Sequence, residues 1–178
     1  MSGRSRAGGT ASSRQPEGLA TIDNFTSTHR IEAQVQTGSR LIADLMNDQS
    51  QSFLLVFNVR LSRLEKGARL EAIASAAYLS KENLGFVIAS SREVRRPERS
   101  RYAANEREVL VTLPGFELEG RFLGPQRADF WTYSPTRLDP FFVLTAATAR
   151  IAAAPDANLV GDTILVNRDR VESIFLGD

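Results

Sequence analysis

Phe130, Trp131, Tyr133 and Arg137 form the densest group of side chains in this 178-residue sequence that could engage a partner. Aromatic faces and a guanidinium stack on nucleobases, and the same side chains anchor protein interfaces. The other reading of the cluster is a helical turn whose aromatics pack inward. A second group is the arginine run Arg92, Arg95, Arg96, Arg99 and Arg101. A guanidinium presents a planar fork that matches phosphate and carboxylate, so such a run suits an anion or nucleic-acid contact. Glu93, Glu98 and Glu106 are interspersed with these arginines, which fits a solvated linker as well.

Catalytic groups are scarce. There is no cysteine, which removes disulfides, thiolate metal sites and cysteine nucleophiles, and His29 is the one histidine. His29 lies between Thr28 and Arg30 at a strand start, with no G-x-S-x-G elbow to partner it. Glu117 and Glu119 alternate onto one strand face, where two carboxylates could act as an acid/base pair or simply face water. Asp156, Asp162 and Asp169 lack the spacing of a calcium loop, and no G-x-x-x-x-G-K-[ST] phosphate loop occurs. The expectation is therefore no enzyme, no metal and no cofactor.

Composition narrows the class further. Apolar residues make up 42% and charged residues 24%, close to the globular average. No run of 18 apolar residues exists, so no membrane-spanning helix is expected. The first residues lack the apolar stretch of a secretory signal, and the expected setting is a bacterial cytoplasm. The net charge of +1 argues against a dedicated nucleic-acid binder. Twenty of the 22 basic residues are arginine, a bias that a GC-rich genome accounts for.

The elements that must carry these groups read as mostly β. Residues 1–21 are Gly, Ser, Arg and Ala with little to bury, the composition of a disordered tail. A first β unit is expected over 22–90. In it Ile31, Ala33 and Val35 alternate with polar residues, a short helix covers Arg40–Asn47, and Phe53-Leu-Leu-Val-Phe57 begins a buried strand. Glu65–Ala68 reads as a hairpin turn, 70–79 as a returning strand or a rival helix, Lys81-Glu-Asn83 as a tight turn and Leu84–Ala89 as a short last strand. Residues 91–107 read as a basic linker. A second β unit is expected over 108–178, opening with a hairpin over Val109–Leu123 that turns at Pro114-Gly115. It contains a loop over Ala152–Gly161.

The second unit repeats the first. At a displacement of 87 residues Ile31 falls on Leu118, Val35 on Phe122 and Arg40 on Arg127. With a small drift Asp44 falls on Asp129, and Phe53-Leu-Leu-Val on Phe141-Phe-Val-Leu. Tyr78–Leu84 then falls on Leu165–Val171. A unit this small buries a marginal core by itself, so the pattern predicts packing of the units on each other or on further chains.

The stretches Thr163–Phe175 and Tyr78–Ile88, each a strand, a tight polar turn and a short last strand, resemble the ends of small Sm-like β-barrels. Arg40-Leu-x-x-Asp-Leu-x-Asn47 with Phe53-Leu-Leu-Val is also similar to uncharacterised bacterial small β-domains. The resemblance covers residues 30–89 and 109–176 and implies a fold of two related small barrels or half-barrels with one short helix each. It does not extend to an RNA pocket. RNA-binding members carry an Arg-Gly pair in the polar turn, whereas the turns here read Lys81-Glu82-Asn83 and Arg168-Asp169-Arg170. Arg95-Arg96-Pro-Glu-Arg99 is similar to the arginine motif of PilZ domains, but Asp129-Phe-Trp-Thr-Tyr-Ser134 does not fit their second motif.

The function expected from these features is a non-enzymatic interaction or assembly module. It acts through strand edges and aromatic packing surfaces, on a second copy or on another protein. The alternative is single-stranded nucleic-acid binding, with Arg92–Arg101 on phosphates and Trp131 or Tyr133 stacking on bases.

Overall fold

A computed structural model describes residues 18–64, 69–94, 105–124, 139–152 and 154–177. Its strands are β1 (Leu19–Phe25), β2 (His29–Gln36), β3 (Phe53–Arg63), β4 (Leu70–Ser80), β5 (Phe86–Ala89), β6 (Asn105–Leu113), β7 (Phe116–Gly124), β8 (Phe141–Ile151), β9 (Ala154–Asn167) and β10 (Ser173–Leu176). Two short helices, α1 (Ile42–Asn47) and α2 (Ser91–Val94), and two single 3₁₀ turns, Lys81–Asn83 and Arg168–Arg170, complete the described elements.

The strands form one antiparallel sheet of ten strands in the order β10-β6-β7-β8-β9-β5-β1-β2-β3-β4. The protein is thus mostly β, as its alternating apolar residues predict, but its strands join in a single sheet. Between the halves β5 pairs with β9, Phe86 opposite Val166 and Ala89 opposite Thr163.

The ladders recur along the chain. Phe25 pairs with Arg30 and with Phe86; Thr112, 87 residues on, pairs with Glu117 and Ser173, each also 87 residues on. Both second ladders carry a bulge at matching places, between Glu32 and Gln34 and between Glu119 and Arg121. Facing those bulges, Asn58 and Ala146 adopt positive φ, 51° and 47°. Asn enters that region readily; Ala does so at a cost.

Two apolar clusters fill the interior, and each borrows from the other half. The first gathers Ile22, Val35, Ile42, Met46, Val56 and Leu84, and takes in Phe141 and Leu165 from the second half. The second gathers Val111, Leu118, Leu144 and Ile164, and takes in Phe25 and Phe86 from the first. Phe25 and Phe86 stack at 4.5 Å, and Phe116 meets both edge-on, a favoured aromatic arrangement.

Several boundaries differ from the sequence expectations. β1 begins at Leu19, inside the stretch read as tail. Its alternation is masked by Asn24, a polar residue buried because its amide donates to Ile31 O at 3.1 Å. The segment read as linker contributes Val94, buried in the first cluster, and the first residues of β6. β9 runs through most of the expected loop 152–161. Residues 70–80 are a strand, not the rival helix. The hairpin turn at 65–68, residues 1–17 of the tail and the helix expected in the second unit lie outside the described residues.

Candidate functional site at the two sheet edges

β4 forms one end of the sheet. Among the described residues it is held on one side only, by β3, with Leu55 opposite Tyr78 and Phe57 opposite Ala76. Its inner end is anchored. Leu79 is buried, and Lys81 just beyond donates from Nζ to Leu45 O at 2.6 Å and Asp48 O at 2.9 Å, closing the C-terminus of α1. Burial holds the Lys81 ammonium below the usual lysine range, opposed by the Asp48 charge. Further out, Leu70, Ile73 and Tyr78 are exposed, as are Phe53 and Leu55 on the adjoining β3. Glu71 is the one charged residue in β4. Edge strands that must stay single normally carry charges or prolines, and β4 lacks that protection over 72–80.

β10 forms the other end, paired on one side with β6 through Ser173–Thr112 to Leu176–Val109. Phe175 and Leu176 are exposed, and the four residues carry no charge. Among the described residues neither β4 nor β10 has a strand on its outer side.

What an occupied edge looks like is seen in the middle of the sheet. β9 stands in the second half where β4 stands in the first, and its outer side is filled by β5. Asn167 ends β9 and donates from Nδ2 to Leu84 O at 2.8 Å and Lys81 O at 3.3 Å; its backbone N–H donates to Gly85 O at 2.9 Å. Arg170 donates to Glu82 O and to Asn83 Oδ1. One polar turn thus reads the other. A second layer covers the strand faces: Asn47 of α1 exchanges two hydrogen bonds with the Phe141 backbone, at 2.8 and 3.1 Å. Phe141 and Leu165 are buried beneath it. Phe53 and Tyr78, the residues in the same places on β3 and β4, are 55% and 72% exposed.

The polar groups near β4 pair among themselves. His29 meets Thr28 Oγ1 at 2.8 Å and donates from Nε2 to Glu71 Oε2 at 3.2 Å, and Arg63 donates to Glu71. The Arg63 hydrogen bond holds the Glu71 carboxyl below its ordinary range. Such a corner is a charge network at the surface. A hollow of about 430 Å³ on the face of β1–β3 is lined by Asp23, Arg30, Glu32, Gln34, Asn58 and Arg60. Arg30 bridges Asp23 and Glu32 there, and Asn58 donates to Gln34 at 2.6 Å. Burial raises the Asp23 carboxyl against the pull of Arg30.

Of the residues singled out from the sequence, Arg92 lies exposed in α2. Phe130, Trp131, Tyr133, Arg137, Arg95, Arg96, Arg99 and Arg101 lie outside the described residues. Glu119 pairs with Arg150 at 3.0 Å on the surface. The exposed residues of β3, β4 and β10 were not singled out. Their signal is a stretch free of charge, 53–59 in β3, 72–80 in β4 and 173–176 in β10, which reads from sequence as core.

No protein-family model, no curated protein and no solved structure matches the chain.

Proposed function

We propose that the chain is a non-enzymatic assembly module, made of two copies of one small Sm-like β unit, which associates through its open strand edges. The observation that carries this is the contrast between the two halves: an edge filled and covered in one is, among the described residues, open and apolar in the other. Exposed apolar strand edges template association, because each supplies a row of unpaired backbone groups together with side chains that gain by burial. The recurrence of ladders, bulges and 3₁₀ turns at a near-constant displacement supports descent of both halves from one unit. The partner is a further protein strand, first of all a second copy, and the setting proposed is a bacterial cytoplasm.

The test is light scattering after size-exclusion chromatography at low and high salt, with the absorbance ratio recorded. Nucleic-acid-free particles heavier than the 19.6 kDa chain are expected. A 19.6 kDa species at every concentration overturns self-assembly. A particle that carries nucleic acid and loses it in high salt favours the basic stretch around Arg92 and the Phe130–Arg137 cluster instead.

A further inference from the structure

The two open edges are complementary to each other, and the chain contains the template for joining them. Within the chain, the short last strand of one half (β5) completes the edge strand of the other half (β9), with Phe86, Val87, Ile88 and Ala89 opposite Val166, Leu165, Ile164 and Thr163. The strands left over are the last strand of the second half (β10) and the edge strand of the first (β4). They are the counterparts of the joined pair. We infer that β10 of one chain extends the sheet at β4 of a second copy, so that copies join head to tail. This rests on the assembly reading above and specifies its partner, polarity and register.

Transposing the internal ladder by 87 residues sets that register. Ser173 lies opposite Leu79, Ile174 opposite Tyr78, Phe175 opposite Ala77 and Leu176 opposite Ala76. The contact buries Phe175 and Leu176 against a stretch of β4 in which Ala72, Ala74, Ala76 and Ala77 leave room for larger side chains. Tyr78 and Phe53 then lie beside the joined strands, in the places that Leu165 and Phe141 hold in the internal junction.

Two substitutions make the open junction looser than the internal one. Ser80 stands where Asn167 stands, so one hydroxyl replaces an amide that serves two carbonyls at 3.3 Å or less. Ala74 stands where Gly161 stands. A Cβ on Gly161 would lie 2.5 Å from Ile88 Cγ2, so at the open junction Phe175 must turn away from Ala74. The internal junction is permanent, and the junction between chains exchanges with concentration. A head-to-tail contact of this kind closes into a ring or continues as a filament, according to the rotation between copies.

The experiment uses two full-length variants, each blocked at one edge by a charge: Tyr78→Lys and Phe175→Lys. Both sites are exposed, so the fold tolerates them. Each variant alone is expected to run at 19.6 kDa, and an equimolar mixture to give a heterodimer of twice that mass, through the intact β10 of one and the intact β4 of the other. Loss of assembly in Tyr78→Lys alone, with Phe175→Lys unaffected, means that β4 pairs with β4; the head-to-tail contact is then overturned while the assembly reading stands. Wild-type assembly that neither variant disturbs also overturns the contact. A wild-type monomer at all concentrations overturns both. Disulfide trapping gives an independent answer, since the chain has no cysteine. Ala77→Cys mixed with Phe175→Cys, or Tyr78→Cys mixed with Ile174→Cys, should cross-link under oxidation, because successive antiparallel pairs alternate in spacing and one of the two suits the bond. Cross-linking of Ala77→Cys with itself, or of neither mixture, contradicts the register.

Discussion

Tyr78 on β4 and Leu165 on β9 hold the same place in the two halves of the sheet, yet Tyr78 is 72% exposed and Leu165 wholly buried. Each faces the corresponding residue of its inner neighbour, Leu55 and Val143. The difference lies in what the other half adds: β5 joins β9 and α1 lies over the adjoining face, whereas no described strand joins β4. The same backbone position is core in one half and surface in the other, and the choice of side chain allows both. Tyrosine has a large apolar ring and a polar tip, a combination common at interfaces that are alternately wet and dry.

The internal junction should depend on Asn167. Its amide satisfies carbonyls of the Lys81–Leu84 turn, and its side-chain oxygen accepts from the Asp169 N–H at 3.1 Å. Asn167→Ala removes the amide from Leu84 O and leaves Lys81 O with the Leu84 N–H alone, at a cost of about 2 kcal/mol in chemical denaturation. Asn167→Ser should recover part of it. A variant as stable as wild type contradicts the role.

Gly161 lies where a side chain on β9 would run into β5. An added Cβ would meet the stiff, branched side chain of Ile88, so Gly161→Ala should lower stability by about 1–3 kcal/mol through overpacking. The midpoint of urea unfolding reads this directly, and an unchanged midpoint would contradict the packing described.

Ala146 holds a positive φ at an exposed bulge. Ala146→Gly relieves the clash between Cβ and backbone, and Ala146→Asn copies Asn58 at the matching bulge. A gain of about 0.5–1 kcal/mol is expected for either. A loss of stability in both would show that the strain is absent.

Asp48 gives the pH dependence a sign. Hydrogen bonds from Ser50, then from Arg40, hold its carboxyl down to about 2, below the ordinary 3.8. The folded state is thus favoured while Asp48 is ionised, and the contribution is lost as pH falls from about 4 towards 2. Asp23 acts in the opposite sense: burial raises its carboxyl, so ionising it on the way up in pH opposes folding. Carboxyl chemical shifts followed through acid titration should place the Asp48 midpoint well below that of Asp23. The reverse order contradicts both assignments.

Much of this architecture is legible in the chain. The alternation Ile31-Ala33-Val35, the apolar run from Phe53 and the Pro114-Gly115 turn each specify a strand or a turn by local pattern. The displacement of 87 residues that aligns Tyr78 with Leu165 in sequence also aligns β4 with β9, while their inner partners β3 and β8 stand 88 apart. What escaped is what depends on neighbours distant in sequence. Asn24 looks like a strand breaker until its amide meets Ile31 O. Val94 looks like linker until the first apolar cluster closes on it. Phe53, Tyr78 and Phe175 look like core, because a local pattern records that a strand is apolar and not whether anything lies beside it. The apolar strands were therefore legible, and which of their residues lie exposed at an edge was not.

Hydrogen–deuterium exchange of the full chain over a range of concentrations tests the role of the edges most directly. Amides on the outer sides of β4 over 73–79 and of β10 over 173–176 should exchange fast in dilute solution and gain protection as concentration rises, whereas those bonded to β3 and β6 stay protected. Those of β5 and β9 should stay protected throughout, because their pairing lies within the chain. Exchange rates at both edges that do not change with concentration would contradict association through β4 and β10.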